Sequence, residues 1–206
     1  MQKYLNENNK FYIQQIKEVF ELFGVETRNK YSLKLENGDQ IGYAAEQGKG
    51  LWGLLFRQFF GHWRPFYLHI FDQQKNLIYT ANHPFRFLFQ RLEVTSAVDG
   101  RKIGTIQQRF GVIHKKFDIL DGQEQVLMRM QAPVWKLWTF PILKGENQVA
   151  VILKKWSGVL KEIFTDADCF TLEFKSQKLT LAEKEMLLHA TLFIDVIYFE
   201  NKASQR

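Results

Sequence analysis

Apolar and polar residues alternate with a period of two along much of the chain, which is the mark of strands with one buried face. Tyr31, Leu33 and Leu35 alternate with polar neighbours, Asn37-Gly38 supplies a tight hairpin turn, and Ile41 to Glu46 returns. A second hairpin joins Phe66 to Asp72 with Leu77 to Thr80 around Gln73 to Asn76. A third joins Leu92 to Ala97 with Ile103 to Phe110 around Asp99-Gly100, and a fourth joins Phe117 to Leu120 with Val126 to Met130 around Asp121-Gly122. Val149 to Leu153 and Phe170 to Phe174 read as further strands. Regular hairpins with few helices predict an antiparallel barrel or sandwich.

Two stretches depart from that period. In Phe11 to Phe23, Ile13, Ile16, Val19, Phe20 and Phe23 recur at helical spacing and Gly24 follows as a C′ residue, which predicts an amphipathic helix. On that reading residues 1–24 form an accessory helix packed on a domain of residues 25–206. The second stretch, Leu181 to Glu200, opens with a capping box in which Thr180 and Glu183 each accept from the other's amide. From Met186 to Phe199 apolar residues cover every side of this helix. Such a helix is either a membrane span or wrapped by protein. Its length just suffices to cross a bilayer, which takes roughly 20 residues. Against a span stand the charged first turn, Glu183 to Glu185, and the interruptions at His189 and Asp195. An ionised Asp near mid-bilayer costs about 2.5–3.5 kcal/mol. A helix wrapped by the preceding strands is the better expectation.

Composition adds limits. A lone cysteine, Cys169, rules out an intramolecular disulfide and suits a reducing compartment. The first apolar stretch is broken by charges, so no secretory signal is expected. The formal net charge of +6 draws the chain mildly toward anionic partners, acidic lipid before nucleic acid, because no dense basic block is present.

Phenylalanine is abundant, with 19 residues, and part of that abundance falls in loops. Leu51 to Trp63 reads LWGLLFRQFFGHW and Phe85 to Phe89 reads FRFLF, where turns are ordinarily polar. Trp52, Phe56, Phe59, Phe60, Phe87 and Phe89, with Arg57, Arg64, Arg86 and Arg91 nearby, would suit a membrane interface. The same rings could instead cap the barrel.

Signals for catalysis are weak. No nucleophile–base pair, phosphate-binding glycine loop or metal-ligand spacing is apparent, and the five histidines are scattered, so an enzyme is the least expected class. The stretch from Asp166 to Gln177 superficially resembles a calcium loop. An EF-hand needs oxygen at its fifth position, Gly at the sixth and Glu at the twelfth, where this chain has Phe170, Thr171 and Gln177. Asp166, Asp168 and Glu173 offer at best a weak Ca²⁺ site, roughly 10⁻⁴–10⁻³ M. Lys154-Lys155-Trp156, with Lys161 downstream, is a small basic-aromatic cluster whose default is a solvated strand end.

Five segments together resemble the phospholipid scramblase family: ETRNKYSLK (26–34), IGYAAE (41–46), RPFYLHIFD (64–72), KKWSGVLKEIFTDADCF (154–170) and LFIDVIYFE (192–200). The likeness runs over roughly residues 14–200. It implies a Tubby-like fold, a closed antiparallel barrel of twelve strands threaded by the C-terminal helix. It also implies a peripheral protein at the cytoplasmic, inner face of a membrane. Anionic phospholipid would be its partner, and it would assist transbilayer phospholipid movement. The competing expectation is a soluble module of the same fold without lipid transport, binding protein or nucleic acid through its basic surface. The family's cysteine cluster for acyl anchoring would fall at Arg86 to Arg91, where this chain carries phenylalanines and no cysteine. Attachment there would rest on rings and charge. The family's calcium segment maps onto Asp166 to Gln177, with Cys169 where an Asn is usual, and its import-like segment maps loosely onto Val151 to Val159.

Overall fold

The computed structural model describes residues 1–16, 27–48, 65–136, 138–155 and 169–199. Its elements are α1 (Gln2–Glu7), β1 (Lys10–Ile16), β2 (Thr27–Leu35), β3 (Gln40–Gly48), β4 (Phe66–Phe71), β5 (Leu77–His83), β6 (Arg91–Ser96), β7 (Lys102–Arg109), β8 (His114–Asp121), β9 (Val126–Pro133), β10 (Thr139–Lys144), β11 (Asn147–Lys155), β12 (Cys169–Phe174) and α2 (Leu181–Tyr198). Each strand pairs antiparallel with its neighbours in sequence, and β1 closes the ring against β12 from Lys10↔Glu173 to Gln14↔Cys169. Closure removes every open sheet edge. The predicted hairpins all recur, in a barrel rather than a sandwich.

Two strands differ from expectation. The predicted helix over Phe11 to Phe23 is a strand over Lys10–Ile16, while residues 17–26 lie outside the described residues. Phe11 and Ile13 fit both periods, and pairing decides between them. Both side chains are buried facing the interior, and the backbone is claimed by β2 on one side and β12 on the other. The barrel's own strands therefore begin at Lys10, inside the segment read as an accessory helix. Strand β10 was not foreseen because Pro141 interrupts its pattern. The proline is tolerated because β10 meets β9 at only two positions, Ile142↔Met130 and Leu143↔Arg129, so its missing N–H leaves little of the ladder broken.

Helix α2 fills the lumen. Its capping box is formed: Thr180 Oγ1 accepts from the Glu183 amide at 3.3 Å, and Glu183 Oε2 accepts from the Thr180 amide at 2.8 Å. Every residue from Glu183 to Ile197 is buried. Phe193 lies among Phe66, His83 and Phe117, with ring centroids 5.6–6.4 Å away. The helix runs close to β7 because Gly104 has no side chain. A Cβ there would stand 2.2 Å from Leu120 O and 3.0 Å from Met186 Sδ.

The polar residues on α2 are met by the barrel wall. Asp195 accepts from Tyr31 Oη at 2.8 Å and lies 3.8 Å from Lys154 Nζ. Glu185 accepts from Tyr79 Oη at 2.5 Å and Gln2 Nε2 at 3.1 Å. Glu183 accepts from Lys144 Nζ at 2.6 Å. Among the described residues no helix is long and apolar enough to cross a membrane.

Candidate functional site

A meander closed on itself has two unlike ends. At one, tight turns join β2–β3, β4–β5, β6–β7, β8–β9 and β10–β11. At the other lie the connections β5–β6 (residues 84–90), β7–β8 (110–113) and β9–β10 (134–138). Strands β5 to β10 are consecutive around the ring, so these three connections are neighbours. Gly48 pairs with Phe66, so the segment between them also departs from this end. Trp52, Phe56, Arg57, Phe59, Phe60 and Arg64 belong to that segment and lie outside the described residues.

The long-loop end carries the apolar exposure. Phe85, Phe87, Leu88 and Phe89 are exposed in the first loop, Phe87 at 60%. Phe110, Val112 and Ile113 are exposed in the second, and Val134 and Trp135 in the third. These side chains do not enter the lumen, which α2 occupies. Sequence reasoning missed the second and third loops. The signal was present in Phe110-Gly111-Val112-Ile113, an apolar connection where a polar hairpin turn is usual, but Phe110 read as a strand end.

Loop 84–90 has a fixed shape. His83 is fully buried, with its ring stacked on Phe66 at 4.4 Å and its Nε2 2.7 Å from Gln90 Oε1. Gln90 Nε2 donates to Arg86 O at 3.3 Å, so its Oε1 is the acceptor and the His83 proton sits on Nε2. The Gln90 amide donates to Gln108 Oε1 at 3.0 Å, and Gln107 Nε2 donates to Phe89 O at 3.1 Å. Phe89 itself adopts φ +54°, an uncommon backbone for a bulky residue, held by these bonds.

Arg86 within this loop and Arg91 just after it have different surroundings. Arg86 is exposed. Arg91 is engaged along the wall by Glu93 and Glu124, each at 2.8 Å, and by Gln107 at 3.3 Å. Burial alone would raise the Glu124 carboxyl, but bonds from Lys102, Thr105 and Arg91 hold it down at about 2. Arg91 is thus a wall-bracing residue. Exposed Lys136 adds charge to the third loop. At the mouth, Lys115 Nζ lies 4.4 Å over the Tyr198 ring and Lys154 Nζ 4.0 Å over Phe199, while Trp138 stacks on Phe199 at 5.7 Å. The three loops contain no Asp or Glu, whereas Glu36, Asp39, Asp99, Glu124 and Glu146 are exposed in the tight turns of the far end.

For calcium, Asp166 and Asp168 lie outside the described residues. Glu173 accepts from Lys175 Nζ at 2.5 Å. It stands four residues beyond Cys169 on β12, roughly 13 Å along the strand. Among the described residues no group of three or more His, Cys, Asp or Glu side chains could hold a metal ion.

The architecture is a closed barrel around an apolar helix, with three neighbouring loops at one end that expose apolar side chains and contain no Asp or Glu. The family described as Scramblase matches residues 1–201, and the chain belongs to that family. Phospholipid scramblase 1 of Homo sapiens is 30% identical over 218 residues, covering 98% of this chain and 67% of that protein. Phospholipid scramblase 2 of Bos taurus is 29% identical, covering 96% of this chain and 71% of that protein. A solved structure of a protein from Arabidopsis thaliana aligns over 96% of this chain and 93% of that one, with a TM-score of 0.47 and 10% identity.

Proposed function

We propose that this scramblase-family protein is peripheral at the cytoplasmic, inner face of a membrane and binds anionic phospholipid through loop 84–90. One observation carries the reading: the loop offers Phe85, Phe87, Leu88 and Phe89 to the outside on a backbone already fixed by His83, Gln90, Gln107 and Gln108. A pre-formed loop spends little entropy on contact. Arg86 meets the headgroups, and the rings do the work that an acyl chain cannot do here, since residues 86–91 contain no cysteine. Family membership and the names of the relatives support phospholipid as the partner. The lone, buried Cys169 supports the cytoplasmic side.

Assistance to transbilayer phospholipid movement is part of the proposal. With α2 filling the lumen, it assigns that movement to disturbance of the bilayer under the docked end, not to passage through the barrel. Calcium, if bound through Asp166 and Asp168, acts as a weak modulator in this reading.

The test is co-sedimentation with phosphatidylserine-containing vesicles. Phe87 and Phe89 are exposed, so replacing both by Ser should lower binding while the melting temperature stays nearly constant. A double variant that binds as before leaves the loop without a membrane role and favours a protein-interaction module.

A further inference from the structure

The three long-end loops are fastened to one another. The Gln108 amide donates to Gln90 O at 2.8 Å, tying the first loop to the strand that leads into the second. The Val134 amide donates to Ile113 O at 3.0 Å, tying the second to the third, and the His114 and Trp135 rings lie 6.2 Å apart. Loops joined in this way present their apolar residues together. Val112 is 78% exposed and Trp135 66% exposed, in the second and third loops round the ring from Phe87. A contiguous apolar face of this kind on a folded protein marks a surface that meets something. Its charge says what. Arg86 and Lys136 flank it, no acid lies in the three loops, and exposed acids crowd the opposite end.

We infer that the three loops form one insertion face that seats the barrel upright on an anionic bilayer. The C-terminal end of α2 then points at the lipid and the tight-turn end stays in water. The inference rests on the membrane reading above, and adds to it the second and third loops and the orientation. A barrel lying on its side would leave Val112 or Trp135 in water and press the wall's ion pairs against lipid. Tilting to bury Phe87 alone would lift the fastened third loop away. Upright docking buries all three at once and holds Glu36, Asp99 and Glu146 away from the anionic surface.

The test uses the full chain with Cys169→Ser and single cysteines at residues 87, 112, 135 or 98, each carrying an environment-sensitive fluorophore. Val98 is 80% exposed in a far-end turn and serves as the control. On vesicles of phosphatidylcholine with phosphatidylserine, the probes at 87, 112 and 135 should shift to the blue and be quenched by lipids brominated on their acyl chains. The probe at 98 should not change. Val112→Ser with Trp135→Ser should weaken vesicle binding roughly tenfold or more, given the apolar area withdrawn. Hydrogen exchange on the unaltered chain covers the case in which Cys169→Ser disturbs folding: amides of 110–113 and 134–136 should gain protection on vesicles, and those of 97–101 should not. If residues 112 and 135 stay silent while 87 responds, the upright seat is wrong and the single-loop reading survives. A response at 98 equal to the others also overturns the orientation. If the chain does not sediment with the vesicles at all, the membrane reading itself fails.

Discussion

His189 shows how the lumen treats an ionisable residue. Its Nδ1 donates to Glu185 O at 2.8 Å, and Nε2 has no hydrogen-bond partner among the described residues. The ring packs edge-on to Tyr79 at 5.3 Å. Full burial pushes its pKa from 6.5 down to about 4, against a smaller opposing pull from the Glu185 carbonyl. A histidine depressed in the folded state is protonated first in the unfolded chain. Its contribution is therefore fully present above pH 6.5 and drains away as pH falls from 6.5 to 4, by about 3 kcal/mol in all. His69 is also lowered, by burial, and acts in the same direction. Urea unfolding from pH 7.5 to 4 should show His189→Phe losing less stability across that window than the parent chain. Parallel curves would mean that His189 is not neutral and buried as described. From about pH 4.5 downward the bonded carboxylates Glu183 and Glu124, both lowered, add their own losses.

Among the elements, α2 was legible because two independent signals agreed, the capping box at Thr180 and Glu183 and the apolar run on every side. Asp195 and His189 argued for protein around it, and the wall supplies Tyr31 and Lys154 for the one and a packed ring for the other. Leu192 is fully buried at the centre of the lumen. Leu192→Ala should leave a cavity and cost about 2–5 kcal/mol, read as a lower urea midpoint at an unchanged slope. Thr180→Ala removes one side of the capping box and should cost about 1 kcal/mol. A Thr180→Ala loss as large as that of Leu192→Ala would mean that the helix is held by its start and not by its packing. The hairpins were legible because Asn37-Gly38, Asp99-Gly100 and Asp121-Gly122 mark turns chemically. Strands β1 and β10 were not, since Phe11 and Ile13 satisfy two periods and Pro141 satisfies neither. Only long-range pairing, β1 with β12 and β10 with β11, resolves them, and pairing is not written locally. At the candidate site, Phe85 to Phe89 stood out as five unlikely loop residues, but the role of Gln90 and Gln107 depends on a strand neighbour that the local pattern does not name.

For the molecule as a whole, the placement of charge matters more than its sum. The net charge of +6 would by itself draw any surface of the chain toward acidic lipid. The barrel instead sets exposed Arg86 and Lys136 among apolar residues at one end and exposed Glu146 in a turn at the other. Strand β11, whose nine residues run between the ends, spans well over 20 Å at about 3.3 Å per residue. That exceeds the screening length of about 10 Å at 0.1 M salt. Two single substitutions separate net charge from placement. Glu146→Gln raises the net charge by one at the far end, and Arg86→Gln lowers it by one at the loop end. If net charge governs binding, the first should strengthen and the second weaken sedimentation with phosphatidylserine vesicles by similar factors. With the loop end as the docking face, Glu146→Gln should leave binding unchanged. Arg86→Gln should weaken it by several-fold, as expected of a basic residue worth about 1 kcal/mol near the surface. Raising salt toward 1 M, where the screening length falls to about 3 Å, should erase the difference between Arg86→Gln and the parent and leave the contribution of the rings. Equal and opposite effects of the two substitutions at low salt would show that the barrel approaches membranes without a preferred end.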